Sequence, residues 1–327
     1  MTLLLSDADV RVTADMPRLV DAVETVLREE HDGLITMPPR VNVASDGTVL
    51  RLMPAHLAGS NLMGYKSFHG SLAKGVRYLI VLMRADDGDI LALVDAALLT
   101  GLRTGATSAV ATRHLTHPGS ADVAVIGSGL EAETNLAGVA AVRPVQRVRV
   151  FSPNPQRRAA FAGRAGASLG VEAVATATAQ EAVTGADIVI VATNTGPHGP
   201  VAYRGAWIEP GQHIVSVGAT SPFLRELDEE CFDRLEHVVF DASPTQVFEE
   251  SGDLIALTDA SRSRLAGASV LSEVVAHGFD RGADAVTLFK SVGTAAQDLA
   301  AAKVVYDTAV QRGIGREIGV LADVKQF

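Results

Sequence analysis

Apolar residues in the first third of the chain recur with two different periods. A helical period from Pro17 to Arg28 predicts an amphipathic helix whose apolar face carries several aliphatic residues. The period of two that follows predicts short strands, the last two of which form an antiparallel hairpin. The expected strands are Arg40–Val43, Val49–Met53, Leu62–Ser67, Val76–Met83 and Ile90–Val94. Helical spacing returns from Thr100 to His114, with Thr100 as the expected N-cap.

After the Pro-Gly pair at residues 118 and 119, predicted strands alternate with helices. The expected strands are Val123–Ile126, Val148–Phe151, Val171–Ala175, Ile188–Ala192, His213–Val217, Val238–Asp241 and Ala285–Phe289. Such alternation predicts a parallel sheet covered by helices on both faces, so the fold class is α/β. A last helix is expected from Ala295 to Arg312. Thr294 and Gln297 have the spacing of a capping box, and Gly313 stops the helix.

Composition then narrows the classes of function. The 327 residues carry 28 basic and 38 acidic side chains, and the net charge of −10 argues against a nucleic-acid partner. One cysteine, Cys231, excludes a disulfide framework and a cysteine-based zinc site, and no metal-ligand spacing is present. The apolar run at the start of the chain is too short, and its surroundings too acidic, for a signal peptide. No apolar run is long enough to span a membrane. We therefore expect a cytoplasmic protein without a membrane partner or a bound metal.

The clearest local motif is a G-x-G-x-x-A turn that follows a buried strand and begins a helix. Gly127 permits the turn, Gly129 allows the backbone to approach a pyrophosphate, and Ala132 lets the helix pack closely on the sheet. Leu130 and Glu131 supply the first N–H groups of the helix. The motif predicts a Rossmann-type dinucleotide site, and the alternative is a glycine turn that binds nothing.

The residues that follow the second strand of this motif bear on the choice of cofactor. An NAD site usually carries an acidic residue there, which binds the ribose hydroxyls. This chain has none and instead offers Ser152, Asn154 and Arg157 as contacts, with Arg158 next in sequence. NADP is therefore favoured over NAD. The alternative is that both arginines are solvated helix residues.

Candidate substrate-binding residues precede and follow the dinucleotide fold. Arg40, Lys66 and Arg103 each lie beside glycine, proline or a helix start, and cations of this kind bind carboxylates. Ser291 and Gly293 lead into the capped last helix, where backbone donors could meet a carboxamide or carboxylate. Each residue taken alone also has an ordinary structural interpretation, as a surface ion pair or a strand-to-helix turn.

These segments together resemble the ornithine cyclodeaminase/mu-crystallin family over nearly the whole chain. The most specific matches are Leu99–Thr104, the turn at Gly127, Trp207–His213 and Thr287–Asp298. The resemblance implies a discontinuous domain of residues 1–117 with 295–327, which has an α+β fold, binds substrate and forms a homodimer. It also implies a Rossmann NAD(P)-binding domain over residues 118–294.

The resemblance also implies roles for individual residues. Arg40, Lys66 and Arg103 would surround the substrate carboxylate, and Lys66 would donate or orient a proton. His69 is a second candidate for the proton, because the usual pKa of histidine suits that task. Further contacts to substrate or nicotinamide would come from Thr193, Val217, Gly218, Thr220, Ser291 and Val292. Glu131 departs from the glutamine that is usual in the family.

One departure from the family bears on the reaction. Thr220 stands where ornithine cyclodeaminases carry an aspartate, and threonine offers no carboxylate base near neutral pH. We therefore expect an NAD(P)H-dependent reductase of small anionic 2-imino acids, reversible as an amino-acid dehydrogenase. Its substrate would be a cyclic ketimine such as a pyrroline-2-carboxylate, or an acyclic one such as iminosuccinate or iminopropionate. The alternatives are a cyclodeaminase with internal NAD recycling and a non-catalytic, mu-crystallin-like NADP-binding protein.

Overall fold

The computed structural model describes residues 2–71, 74–119, 121–197, 199–235, 237–282, 284–322 and 324–325. The chain divides into two compact units. The first unit comprises Met1–Arg103 and Thr294–Phe327, and the second comprises Thr104–Gly293. The division lies inside the helix Ala97–Leu115, whereas the expected boundary was between residues 117 and 118.

Both units contain α-helices and β-strands. The helices are α1 (Asp7–Thr13), α2 (Met16–His31), α3 (Ala97–Leu115), α4 (Leu130–Val142), α5 (Pro155–Leu169), α6 (Ala179–Val183), α7 (Glu229–Arg234), α8 (Pro244–Glu250), α9 (Gly252–Ile255), α10 (Asp259–Leu265), α11 (Leu271–His277) and α12 (Ala295–Arg312). The strands are β1 (Leu3–Leu5), β2 (Ile35–Thr36), β3 (Val41–Ser45), β4 (Thr48–Leu57), β5 (Leu62–Ser71), β6 (Gly75–Arg84), β7 (Ile90–Asp95), β8 (Ala121–Ile126), β9 (Val145–Phe151), β10 (Glu172–Ala175), β11 (Ile188–Val191), β12 (His213–Ser216), β13 (His237–Phe240), β14 (Ser269–Val270), β15 (Thr287–Lys290) and β16 (Arg316–Glu317).

The first unit is a mixed sheet with helices packed on it. The strand order is β16-β1-β7-β6-β5-β4-β2, with β3 also paired to β4, and the β4–β5–β6–β7 pairings are antiparallel. Helix α12 packs on β4, β5 and β6 and against α2. It begins with the predicted capping box of Thr294 and Gln297 and ends at Gly313, which has a φ of 63°.

The second unit is a parallel sheet with the strand order β10-β9-β8-β11-β12-β15-β13-β14. Strands β8, β11, β12 and β15 are adjacent and parallel, so the turns after them meet at one side of the sheet. We call this side the carboxyl edge; its turns begin at Gly127, Ala192, Val217 and Ser291. The fold is α/β, with a Rossmann-type unit and a smaller α+β unit, as predicted.

One predicted cap is wrong. Thr100 lies inside α3, because its N–H already donates to the carbonyl of Ala96 at 2.9 Å. The helix begins three residues earlier, where the Asp95 side chain accepts the N–H of Ala97 at 3.0 Å. Among the described residues, no helix is both long and apolar enough to cross a membrane.

Candidate active site

A buried group of charged side chains lies in the first unit, and we call it the cationic cluster. Its members are Lys66 on β5, Arg103 on α3 and Asp298 on α12, which are 3%, 4% and 0% exposed. Lys66 Nζ lies 2.7 Å from Asp298 Oδ2, and Arg103 Nε donates to Asp298 Oδ1 at 2.7 Å. One carboxylate therefore holds two cations in fixed positions.

The first turn of α12 places Asp298 within the cationic cluster. Gln297 closes the capping box at Thr294, and its Oε1 also accepts Arg103 Nη1 at 3.2 Å. Because α12 packs directly on β5, the next residue along the helix reaches the lysine on that strand. The cap thus fixes both the start of the helix and the position of the carboxylate.

Charge and burial shift the protonation of this cluster. The pKa of Lys66 is lowered to about 8, mainly by burial and also by the charges of Arg103 and Arg40, against the opposing effect of Asp298. Burial alone would raise the pKa of Asp298, but the charges of Arg103 and Lys66 outweigh it and the pKa is lowered. The cluster thus carries more positive than negative charge near neutral pH, which suits an anionic ligand.

The structure brings two of the three predicted cations together and places the third near them. Arg40 precedes β3, is partly exposed, and lies close enough for its charge to act on Lys66. That all three contact a substrate carboxylate remains a prediction.

His69 does not join the cluster. Residues 66 and 69 lie on one regular strand, paired in continuous register with β4 and β6. Side chains alternate between the two faces of a strand, so a separation of three puts them on opposite faces. The His69 ring contacts Ser67 Oγ at 3.4 Å on its own face. The expectation that His69 could share the proton transfer with Lys66 is therefore not supported.

The dinucleotide motif forms the expected turn in the second unit. Gly127 has a φ of 134°, and a Cβ there would lie 2.2 Å from the carbonyl oxygen of Ala192, so only glycine fits. A Cβ on Gly129 would meet nothing within 4 Å, which leaves open space in front of the helix. Helix α4 then begins at Leu130, which is 45% exposed, followed by Glu131. This open turn before the helix fits a pyrophosphate group.

The segment after β9 has the composition expected of a ribose contact. Ser152 accepts a hydrogen bond from Ser128 Oγ at 3.0 Å, and Asn154 caps α5 by accepting the N–H of Arg157 at 2.9 Å. The side chain of Arg157 is exposed. Arg158, in contrast, is engaged: it donates to the carbonyl of Ser152 at 3.1 Å and stacks over the ring of Phe151. Of the two arginines, Arg157 is the one that extends into solvent.

The turns after β11 and β12 are tied to a buried carboxylate that the sequence did not reveal. Glu226 accepts the N–H and hydroxyl of Thr193 at 2.7 and 2.9 Å, and the N–H of Gly218 at 2.7 Å. Burial raises the pKa of Glu226, and the charge of Lys290 acts against that shift. Val217 is buried in the same turn, whereas Thr220 is partly exposed just beyond it.

The turn after β15 is tied in a similar way, to Asp241. This carboxylate accepts the hydroxyl of Ser291 at 2.6 Å and the N–H groups of Val292 and Gly293 at 2.9 and 2.8 Å. The N–H of Ser291 donates to the carbonyl of Ser216 at 3.1 Å, so the backbone donors of Ser291 and Gly293 are both engaged within the chain. A contact of these two residues with the cofactor remains a prediction. Val292 is itself buried.

Sequence reasoning missed the acidic residues that organise both units. They are Asp298, Glu226, Asp253 and Asp241, and Lys290, which pairs with Asp253, was missed as well. Asp298 and Lys290 both lie in the matched segment Thr287–Asp298. Charged residues in such an apolar segment were the signal that could have pointed to buried ion pairs. The partners are distant in sequence, and no local pattern links them.

Comparison with known proteins gives a consistent family. The family model for the ornithine cyclodeaminase/mu-crystallin family matches residues 1–313. Ketimine reductase mu-crystallin of Rattus norvegicus is 32% identical, covering 85% of this chain and 86% of that protein. Alanine dehydrogenase of Archaeoglobus fulgidus is 30% identical, covering 97% and 98%.

A solved structure extends the likeness to the fold. The Thermococcus litoralis Delta(1)-pyrroline-2-carboxylate reductase, in complex with NADH and L-proline, superposes with a TM-score of 0.88 and 31% identity, covering 97% of this chain and 100% of that one. The prediction that the protein is a nicotinamide-dependent oxidoreductase is confirmed. On these matches the chain belongs to the ornithine cyclodeaminase/mu-crystallin family.

Proposed function

We propose that the protein is an NAD(P)H-dependent reductase that converts a 2-imino acid into the L-amino acid and runs in reverse as an amino-acid dehydrogenase. The observation that carries this proposal is the cationic cluster, in which a lysine and an arginine are buried on one carboxylate. Burying these charged side chains costs free energy, which a role in binding would explain. The excess of positive charge suits a substrate carboxylate.

Each member of the cluster has a separate task in this reaction. Arg103 offers a planar fork for the substrate carboxylate, and Asp298 fixes its orientation. Lys66, whose pKa is lowered to about 8, is largely protonated near neutral pH and able to release a proton to the imine nitrogen. Protonation there makes the neighbouring carbon more electrophilic. The reduced nicotinamide, when bound, supplies the hydride to that carbon.

Thr220 supports reduction over cyclodeamination. Its side chain is a hydroxyl at the turn beyond β12, and it supplies neither a carboxylate base nor a charge that could receive a second ammonium group. A cyclodeaminase of this family would use an aspartate there.

The substrate class that fits is a monocarboxylate. Alanine and pyrroline-2-carboxylate, which give their names to the relatives alanine dehydrogenase and Delta(1)-pyrroline-2-carboxylate reductase, are monocarboxylates. We therefore favour a cyclic ketimine or iminopropionate over iminosuccinate.

For the cofactor, the segment after β9 favours NADP. It has no acidic side chain to bind ribose hydroxyls, and Arg157 is exposed beside Ser152 and Asn154. The homodimer expected through the first unit remains a prediction.

The proposal is tested by supplying cyclic ketimines, or 2-oxo acids with ammonia, together with NADPH or NADH. Loss of the absorbance of the reduced nicotinamide, with formation of the L-amino acid, is the expected result. No oxidation across the panel would overturn the proposal. Ammonia release from ornithine without net oxidation would instead identify a cyclodeaminase, and cofactor binding without any turnover would identify a binding protein.

A further inference from the structure

The carboxyl edge of the second unit lies above a second buried ionic group, separate from the cationic cluster. Glu226, Asp253 and Lys290 are at most 1% exposed. Lys290 Nζ lies 2.9 Å from Asp253 Oδ2 and donates to Ser216 Oγ at 2.9 Å. Ser216 in turn donates to Glu226 Oε2 at 2.9 Å. The Glu226 carboxylate is therefore held by the charge of Lys290 and by the hydroxyl of Ser216, which bridges the two side chains.

The backbone of Glu226 is held as firmly as its side chain. Asp253 Oδ1 accepts the N–H groups of Glu226 and Leu227 at 2.7 and 3.0 Å. With both ends fixed, the carboxylate has a defined position beneath the turns that follow β11 and β12. Its oxygens accept hydrogen bonds from Thr193 and Gly218, and a weaker one from the N–H of Ala219 at 3.3 Å.

The direction of these N–H groups fixes the direction of the carbonyl groups. In a trans peptide the C=O points opposite to the N–H of the same peptide plane. The carbonyls of Val217 and Gly218 therefore point away from Glu226. For Thr193, the paired carbonyl is that of Ala192, which lies against Gly127 in the dinucleotide turn. Asp241 has the same effect after β15, where it accepts the N–H of Val292 and so turns the carbonyl of Ser291 away from that carboxylate.

We propose that Glu226 is a positioning residue that makes the carboxyl edge a surface of hydrogen-bond acceptors, with Asp241 acting likewise after β15. This surface selects a ligand group that donates, namely the amide nitrogen of the nicotinamide carboxamide. It rejects a carboxylate at the same place, because carbonyl dipoles face it. The inference rests on the proposed function, since it assumes that a nicotinamide dinucleotide binds at this edge.

The unmodified protein gives the first test, through dinucleotides that differ only at the carboxamide. Nicotinic acid adenine dinucleotide (phosphate) replaces the amide by a carboxylate, and the 3-acetylpyridine analogue replaces it by an acetyl group without N–H. We expect the acetyl analogue to bind about tenfold more weakly than the natural cofactor, because one buried pairing is lost. We expect the acid to bind no more tightly than ADP-ribose. Equal binding of the acid and the natural cofactor would overturn the inference.

The second test is Glu226→Gln, which keeps the size of the side chain. Both oxygens of Glu226 face donors, and a glutamine NH₂ cannot accept from either set. We expect NAD(P)H to bind about tenfold more weakly, with ADP-ribose affinity unchanged, because the turns lose the bonds that orient their carbonyls and the carboxamide then loses a hydrogen bond. Glu209→Gln is the matched control, because the Glu209 side chain accepts the N–H of Gly185 at 2.8 Å, at the opposite ends of the strands.

The outcomes separate this inference from the proposed function. If the natural dinucleotide does not bind to the unmodified protein, the proposed function fails. If it binds but the analogues bind equally well, only the acceptor surface fails. Equal losses of NAD(P)H and ADP-ribose affinity in Glu226→Gln, or no loss of either, would overturn the positioning role. If that variant does not fold, the analogue series on the unmodified protein still decides the question.

Discussion

Replacing Asp298 by asparagine removes the only negative charge of the cationic cluster while keeping the side-chain volume. In the wild-type protein this carboxylate raises the pKa of Lys66 and so limits the lowering that burial causes, leaving it at about 8. Without it, burial and the charges of Arg103 and Arg40 act unopposed. The pKa of Lys66 therefore falls below 8 in Asp298→Asn.

The size of the change follows from the distances. An opposite charge within hydrogen-bond distance shifts a pKa by about 1 to 3 units, and Lys66 Nζ lies 2.7 Å from Asp298 Oδ2. Removing one partner of a buried ion pair also costs about 3 to 5 kcal/mol of stability. We expect the lower end of that range, because Lys66 can lose its proton and relieve part of the cost.

The assay is kcat/KM for imine reduction as a function of pH. A lysine that must be protonated is active below its pKa, so wild-type kcat/KM should fall as the pH rises through about 8. In Asp298→Asn the same fall should occur at least about 1 pH unit lower. Titration of the substrate is common to both proteins, so the difference between the profiles reports on Lys66. Lys66→Arg should lower kcat/KM strongly at every pH and show no fall near pH 8, since arginine keeps the charge but does not release its proton.

A matched control lies on the same helix. Asp307→Asn breaks the exposed pair in which Lys303 donates to Asp307 at 2.6 Å, and should change stability by less than about 1 kcal/mol with an unaltered pH profile. If the fall in kcat/KM of Asp298→Asn stays at the wild-type pH or moves to higher pH, Asp298 does not raise the pKa of Lys66.

Three further predictions follow from the geometry of the turns and strands. Gly127→Ala should lower the melting temperature and abolish dinucleotide binding, because its Cβ would clash with the backbone. Gly129→Ala should keep the melting temperature and only weaken dinucleotide binding, so equal melting temperatures for the two variants would contradict this prediction. Arg157→Ala should reduce kcat/KM for NADPH about tenfold and leave kcat/KM for NADH unchanged, since a charged hydrogen bond to the 2′-phosphate is lost. Arg164→Ala, on the same helix and paired with Glu133 at 3.2 Å, is the control. Equal losses of kcat/KM for both cofactors in Arg157→Ala would refute the NADP preference. His69→Ala should keep kcat within about twofold, because its ring lies on the strand face opposite to Lys66; a loss of tenfold or more would return this histidine to the mechanism.

The sequence was informative wherever hydrophobic period and turn chemistry coincide. Strands β8, β10 to β13 and β15 are found within one or two residues of their expected bounds, β9 begins three residues before its expected start, and the Thr294 capping box is present. Strands β1, β2, β14 and β16 span two or three residues each, too few for a period to register. The start of α3 was misplaced because Asp95, at the end of a strand, caps it from outside the periodic segment.

The sequence predicted the cations of the candidate site but not the carboxylates that bind them. Cations beside glycine, proline or a helix start indicated where an anion could bind, and Lys66 and Arg103 do lie together. The carboxylates that hold them, and those beneath the carboxyl edge, come from segments that meet only in the folded chain. Their roles depend on burial and distance, which a single sequence does not contain.

The discontinuous first unit also has a consequence for the order of events during synthesis. Arg103 and Asp298 are 195 positions apart, with the whole second unit between them. The second unit is continuous and can fold as soon as its residues leave the ribosome, whereas the first unit lacks α12 until much later. Until then Lys66 and Arg103 have no carboxylate to neutralise them and cannot be buried without penalty. We therefore expect nascent chains that end before residue 298 to contain a folded second unit beside an unfolded first one.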